Sequence, residues 1–276
     1  MDQPADVVAT VVALWRYPVK SMLGEQLTAS EVTERGLLGD RRYALVDRET
    51  GRVASAKFPR KWPTLFGYRA AYLEPPTSAD AMPAVRITLP DGRIIRSDDP
   101  DAERVLSADL GREVALDKAA PDAPSLEEYW PDIDGLDHRD ALTEEAMRPG
   151  TFFDAGVVHL LTTATLDRLR ELYPAGRFEV RRFRPNLVVI PSDGQAGFVE
   201  DAWVGQSLAI GDEVRLRITR PCQRCVMITL EQDDLPKDPG ILRAAAQHHG
   251  VSVGVYATVE RGGRVRRGAE VRLTPS

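Results

Sequence analysis

A chain of 276 residues with 43% apolar side chains is long enough for one large domain or two medium ones and can fill a core. A net charge of −6 argues against nucleic acid as the main partner, two cysteines exclude a disulfide framework, and no apolar run approaches the roughly 20 residues of a bilayer span. Asp2 and Asp6 stand where a secretory signal needs positive charge, so a cytoplasmic protein with no membrane attachment is expected.

The first third reads as β-structure. "VVATVVALWRYPV" is rich in strand formers. "RRYALVDRETGRVAS" carries Glu49-Thr50-Gly51 between two strand-like runs, and "AVRITLPDGRIIRS" carries Asp91-Gly92; both are hairpin signals. "SDDPDAERVLSADLG" predicts a helix, with Asp98 or Asp99 as cap, Val105, Leu106 and Leu110 as buried stripe and Gly111 as stop. "REVALDK" adds a strand.

From Ala119 to Gly150 four prolines and many acids break the pattern, which predicts an interdomain connection or a long functional loop. The expected division is therefore 1–120 and 121–276, with 121–150 as connecting segment. "VVHLLTTATLDRLRELYPAG" predicts a strand ending near Leu161 and a helix capped by Thr162 or Thr163. Strands are expected at 178–190, 207–219, 226–231, 251–260 and 264–273, with Arg261-Gly262-Gly263 as a further hairpin turn. "DPGILRAAAQHHG" predicts a helix ending at Gly250. The sum is a mainly β, mixed α+β chain in two parts, made of barrels or curled sheets. Glycine-rich nucleotide loops, a GxSxG elbow and HExxH are absent.

The only cysteines, Cys222 and Cys225, stand in "RITRPCQRCVMITLE". A redox CxxC normally opens a helix, whereas β-branched Val226 and Ile228 here predict a strand. A zinc site needs two more ligands, and the adjacent His248 and His249 point in different directions on a helix. Two buried thiols acting as small apolar residues fit as well. So does a thiolate that binds a soft metal, because Arg217, Arg220 and Arg224 surround the pair. His138 and His159 receive no role, His159 being placed as a structural histidine.

Several longer stretches change the balance. "LWRYPVKSMLGEQL", "GLLGDRRYALVD", "HLLTTATLDRL", "RFRPNLVV", "EDAWVGQSLAIGDEVRLRI" and "PCQRCVMITLEQ" occur in this order. Together they resemble the MOSC family, and the N-terminal part resembles the β-barrel domain that precedes MOSC in the amidoxime-reducing components and their bacterial relatives. The resemblance implies an N-terminal β-barrel-like domain followed by a MOSC β-barrel domain with a few helices. It implies a molybdenum–molybdopterin cofactor (Moco) whose protein ligand is Cys225, with Cys222 as a neighbour. The cofactor contacts it implies are Lys20, Ser21, Arg41, Thr162, Thr163, Arg184, Asn186, Gln223 and Arg224. The chemistry agrees: Lys and Arg neutralise a phosphate, and hydroxyl and amide groups bond a pterin ring. Arg224 is expected to help keep the Cys225 sulfur deprotonated.

The implied activity is reduction of small N-hydroxylated substrates such as amidoximes and N-hydroxylated bases. Some bacterial relatives carry an iron–sulfur domain, which needs further cysteines. Electrons are therefore expected from a separate ferredoxin, flavin reductase or cytochrome b5-like protein. Two alternatives stay open: a molybdenum cofactor or sulfur carrier working through a cysteine persulfide, and a β-rich binding protein that holds no cofactor.

Overall fold

Seven strands close into a barrel in the computed structural model, which describes residues 6–79 and 81–274; Asp2, used above against a targeting segment, lies outside them. Around the barrel run Leu187–Pro191, Val158–Thr162, Ser252–Arg261, Val214–Gln223, Ser207–Ile210, Glu270–Thr274 and Val7–Arg16. Val7–Arg16 closes the ring by pairing antiparallel with both Glu270–Thr274 and Leu187–Pro191. Only the Val158–Thr162 and Leu187–Pro191 pair is parallel, and the helix Thr163–Leu172 lies in the connection between them. The interior is apolar, filled by Leu14, Leu160, Leu187, Leu208, Ile218 and Val255, each at most 1% exposed. The first strand of the chain thus belongs by hydrogen bonding to the C-terminal barrel and crosses the expected division at 120.

The rest of the N-terminal part forms small sheets around a second core. Arg69–Tyr72, Val85–Thr88 and Ile94–Arg96 make one, Ala44–Asp47 and Val114–Asp117 another, and Ala29–Thr33 pairs with Gly36–Leu37 and with Gly263–Arg266. Tyr43, Leu45, Trp62, Leu65, Tyr68 and Ile87 fill that core. Met227, Cys225 and Leu230 pack on the same cluster, so the cysteine loop of the barrel docks onto the N-terminal part. A third core joins the helices Thr163–Leu172 and Pro239–His249 to Phe183 and Ile228.

Six predicted elements differ, among them the 264–273 run, which is two strands, Gly263–Arg266 and Glu270–Thr274. The 119–150 segment is not loop throughout: Ser125–Trp130 and Ala141–Ala146 form a hairpin, Leu126 and Glu128 being buried on one face. The 178–190 run splits into a helical turn Val180–Phe183 and the strand Leu187–Pro191, because Arg184 takes a left-handed φ of 54°. The 207–219 run is two strands joined across Gly211, whose φ is 58°. Arg261-Gly262-Gly263 is no hairpin turn; it hands the chain to Ala29–Thr33. Residues 226–231 are not a strand. Val226–Thr229 is a 3₁₀ turn closed by Thr229 Oγ1 donating to Val226 O at 2.7 Å, and it buries Met227 and Ile228 in two different cores. Tertiary packing overrides the strand preference of Val and Ile there. The predicted helix caps Thr162, Gly111 and Gly250 are in place.

Candidate functional site

A cavity of about 300 Å³ opens where the barrel rim meets the N-terminal loops, and its volume is at the lower end for small-molecule sites. Eight of the ten residues expected at a cofactor line it: Lys20, Ser21, Arg41, Arg184, Asn186, Gln223, Arg224 and Cys225. Thr162 and Thr163 do not. Thr162 is fully buried, its Oγ1 accepting from Thr165 N at 3.1 Å and donating to the buried Glu200 at 2.6 Å. Thr163 lines a separate depression beside Asp167 and Ile190. The helix cap uses the hydroxyl that the motif alone left free.

Three residues of the cavity wall, Ser21, Arg41 and Arg184, have φ values of 62°, 47° and 54°. Among the described residues only three other non-glycine positions have positive φ. Such backbone costs on the order of 1–3 kcal/mol per residue and persists where the surroundings enforce it. Here Tyr17 is the enforcing element. Its ring meets both the Arg184 and Arg41 guanidiniums, 4.2 and 4.9 Å from the centroid, and its hydroxyl donates to Pro185 O at 3.2 Å. Arg41 N donates in turn to Tyr17 O at 2.8 Å.

The cations on the N-terminal side are ion-paired. Lys20 meets Asp154 and donates to Phe152 O at 3.1 Å; Arg41 meets Asp40; Lys57 meets Glu128 at 2.8 Å and Glu145 at 3.1 Å. Burial lowers the Lys20 pKa against the pull of Asp154. Burial also works against charge on Asp154, but Lys20 and Lys57 hold its carboxyl well below the usual range. The cations on the barrel side meet backbone carbonyls and a cysteine sulfur. Arg184 donates to Met22 O at 2.6 Å, and Arg224 donates to Phe183 O at 2.9 Å and to Cys222 Sγ at 2.7 Å. Burial brings Arg184 down to about 10, and the neighbouring Arg41 adds to this. Arg224 Nε is buried with no hydrogen-bond partner.

Asn186 is a latch. Its Nδ2 donates to Asp40 at 2.9 Å and Trp15 O at 3.3 Å, and its Oδ1 accepts from His159 N at 3.1 Å. Ser21 Oγ accepts from Ala56 N at 3.1 Å.

The two cysteines are unlike each other. Cys222 is fully buried at the end of the strand Val214–Gln223, and Cys225 lies on the cavity wall at the start of the 3₁₀ turn. Burial opposes ionisation of Cys222, yet Arg224 and His159 bring it down to about 6. Burial and Glu128 push the Cys225 thiol up to about 12 against Lys57 and Arg224. Arg224 thus favours ionisation of Cys225 as expected, but too weakly to overcome burial, and its guanidinium hydrogen-bonds the Cys222 sulfur instead. His248 and His249 lie away from the thiols, with His249 bonded to Asp201 at 2.6 Å. Among the described residues no cluster of three or more His, Cys, Asp or Glu could hold a metal by itself.

Sequence reasoning missed Lys57, Glu128, Trp130, Glu145, Asp154 and Tyr256 on the wall, named Arg220 only as a charge near the cysteines, and gave no role to His159, which also lines it. The alternation in "SLEEYW" was the available signal for the hairpin that delivers Glu128 and Trp130. Nothing local marks Lys57 or Tyr256.

The donor set fits an anionic, polar cofactor whose metal takes one protein thiolate. Arg184, bound to a backbone carbonyl, keeps its positive charge for a phosphate, Arg224 Nε is an unused buried donor, and one sulfur borders the cavity. Metal binding at Cys225 would release its proton.

The chain is 26% identical over 236 residues to mitochondrial amidoxime reducing component 2 of Rattus norvegicus, covering 82% of this chain and 68% of the relative. It is 27% identical to the Homo sapiens component 2 at the same coverage. A solved structure, the YUAD protein of Bacillus subtilis, aligns with 96% of this chain and 94% of its own at 12% identity and a TM-score of 0.45. Residues 8–106 match the MOSC N-terminal beta barrel domain and residues 147–272 the MOSC domain, and the chain belongs to the MOSC family.

Proposed function

We propose that this protein is a molybdenum-cofactor oxidoreductase that reduces N-hydroxylated small molecules with electrons from a separate protein. The observation that carries the reading is the convergence of Lys20, Ser21 and Arg41 with Arg184, Gln223, Arg224 and Cys225 on one cavity. The relatives named amidoxime reducing components support the same reading.

In this reading Cys225 is the sulfur ligand. Arg184 and Arg224 face the anionic part of the cofactor, with Lys20 and Arg41 completing the charge. Ser21 and Asn186 hold the loops, since their polar atoms are already bonded to protein groups. Thr162 and Thr163 have no part in binding. When bound, the cofactor supplies two-electron chemistry for removing an oxygen atom from nitrogen. The chain itself supplies orientation, counter-charge and shelter from bulk water.

The test is metal analysis of protein made in a cofactor-competent host, followed by turnover with benzamidoxime and a chemical reductant. Molybdenum near one per chain and benzamidine formation are expected. Cofactor exchange without turnover identifies a carrier instead. Absence of molybdenum in the wild type, or its persistence in Cys225→Ala, overturns the site.

A further inference from the structure

Lys57, Glu128 and Glu145 form a charged cluster on the cavity wall that binding of an anionic cofactor does not require. Glu128 is delivered by the strand Ser125–Trp130 and Glu145 by its partner Ala141–Ala146. Both carboxylates take Nζ of Lys57, and both line the cavity. Their exposure is graded. The side chain of Glu145 is 38% exposed, that of Lys57 11% and that of Glu128 3%. The cluster therefore runs from solvent into the cavity.

We infer that Glu128, reloaded from solvent through Glu145 and held in place by the Lys57 ammonium, delivers protons to the substrate in this cavity. The inference rests on the proposed reductive function. There, an amidoxime R–C(NH₂)=N–OH takes up two electrons from the reductant and two protons. The N–O bond breaks, and R–C(NH₂)=NH and water leave. Each turnover consumes two protons inside the cavity, and ionisable groups that reach solvent can resupply them. The groups that face the cluster are Lys20, Asp154 and Cys225, which interact with Lys57, Asp154 also with Glu145 and Cys225 also with Glu128, while Glu128 and Glu145 interact with each other. Burial raises the Glu128 carboxyl to about 7, against Lys57 and with Glu145, so it holds a proton near neutral pH. Glu145 is shifted the other way and stays ionised. A carboxylic acid with a pKa near the working pH is the best placed to give and regain a proton.

Glu128→Gln keeps size and polarity but cannot lose a proton. With benzamidoxime and reduced methyl viologen, kcat is expected to fall about 100-fold with KM within about threefold. Molybdenum content and melting temperature should match the wild type, and Glu128→Asp should recover part of kcat. Glu145→Gln should cost less, since Lys57 stays hydrated at its mouth. A wild type that holds molybdenum but reduces no N-hydroxylated probe overturns the functional reading. A wild type that turns over no faster than Glu128→Gln overturns proton delivery alone. If Glu128→Gln fails to fold, Lys57→Met with the same measurements takes its place. An infrared pH titration of the cofactor-free protein decides the proton store separately. A protonated carboxyl band that is lost around neutral pH, and is missing in Glu128→Gln, supports it; its absence from the wild type overturns it whatever the activity.

Discussion

The two walls of the cavity carry similar cations in different electrical states. On the N-terminal wall Lys20, Arg41 and Lys57 are each tied to a carboxylate. On the barrel wall Arg184 and Arg224 bond carbonyl oxygens and a sulfur. A carbonyl satisfies Arg184 without cancelling its charge, whereas the readily ionised Cys222 thiol offsets Arg224, so Arg184 carries the net positive charge of the barrel wall and the N-terminal wall supplies fixed ion pairs. The same device recurs behind the wall. Arg182 is fully buried and donates to the carbonyls of Arg177, Ile228, Leu230 and Pro236 at 2.7–3.3 Å; among the described residues no carboxylate pairs with it. It fastens the segment after Cys225 to the turn that carries Arg184.

Four measurements sharpen or break this contrast. The largest effect belongs to the cysteines. Cys225→Ala should bring molybdenum down to background, whereas Cys222→Ala should retain a measurable fraction, since it removes only an acceptor of Arg224. Equal losses would erase the asymmetry between them. Next is Arg182→Met, which leaves the buried carbonyl of Ile228 and three part-buried carbonyls without their donor. It should cost at least ~3 kcal/mol in urea unfolding, because each orphaned group loses about 1 kcal/mol or more. A change below ~1 kcal/mol would show that the carbonyls find other partners.

The third test compares the walls directly. Arg184→Gln should weaken cofactor retention about 10–100-fold, the worth of a charged hydrogen bond, while Lys20→Gln should weaken it only a few-fold because it also frees Asp154. Washing the holoprotein and following molybdenum release gives both numbers, and the reverse order would refute the assignment of net charge. The smallest effects are at the threonines. Thr162→Val should cost about 1 kcal/mol of stability through the lost cap and leave molybdenum unchanged. Thr163→Ala should change neither by more than ~0.5 kcal/mol. Loss of metal in either would return that residue to the site.

Much of the frame was legible in the sequence. The strand periodicity of Val7–Arg16, the caps at Thr162 and Gly250 and the turn at Asp91-Gly92 are local signals, and local backbone chemistry decides them. The order of the "YPVKS", "RPN" and "CQRC" stretches also pointed to eight residues that share one cavity. Three matters were left to the tertiary structure. Val226–Thr229 abandons strand geometry because two cores compete for its side chains. Thr162 leaves the site because Glu200, 38 residues on, takes its hydroxyl. Arg224 turns to Cys222, and Glu128 reaches Lys57 71 residues away, because barrel closure and the 125–146 hairpin bring them together. Residue type and spacing set what each side chain is able to do. Which partner it meets, and so whether its charge is spent or free, is decided only when distant strands pair.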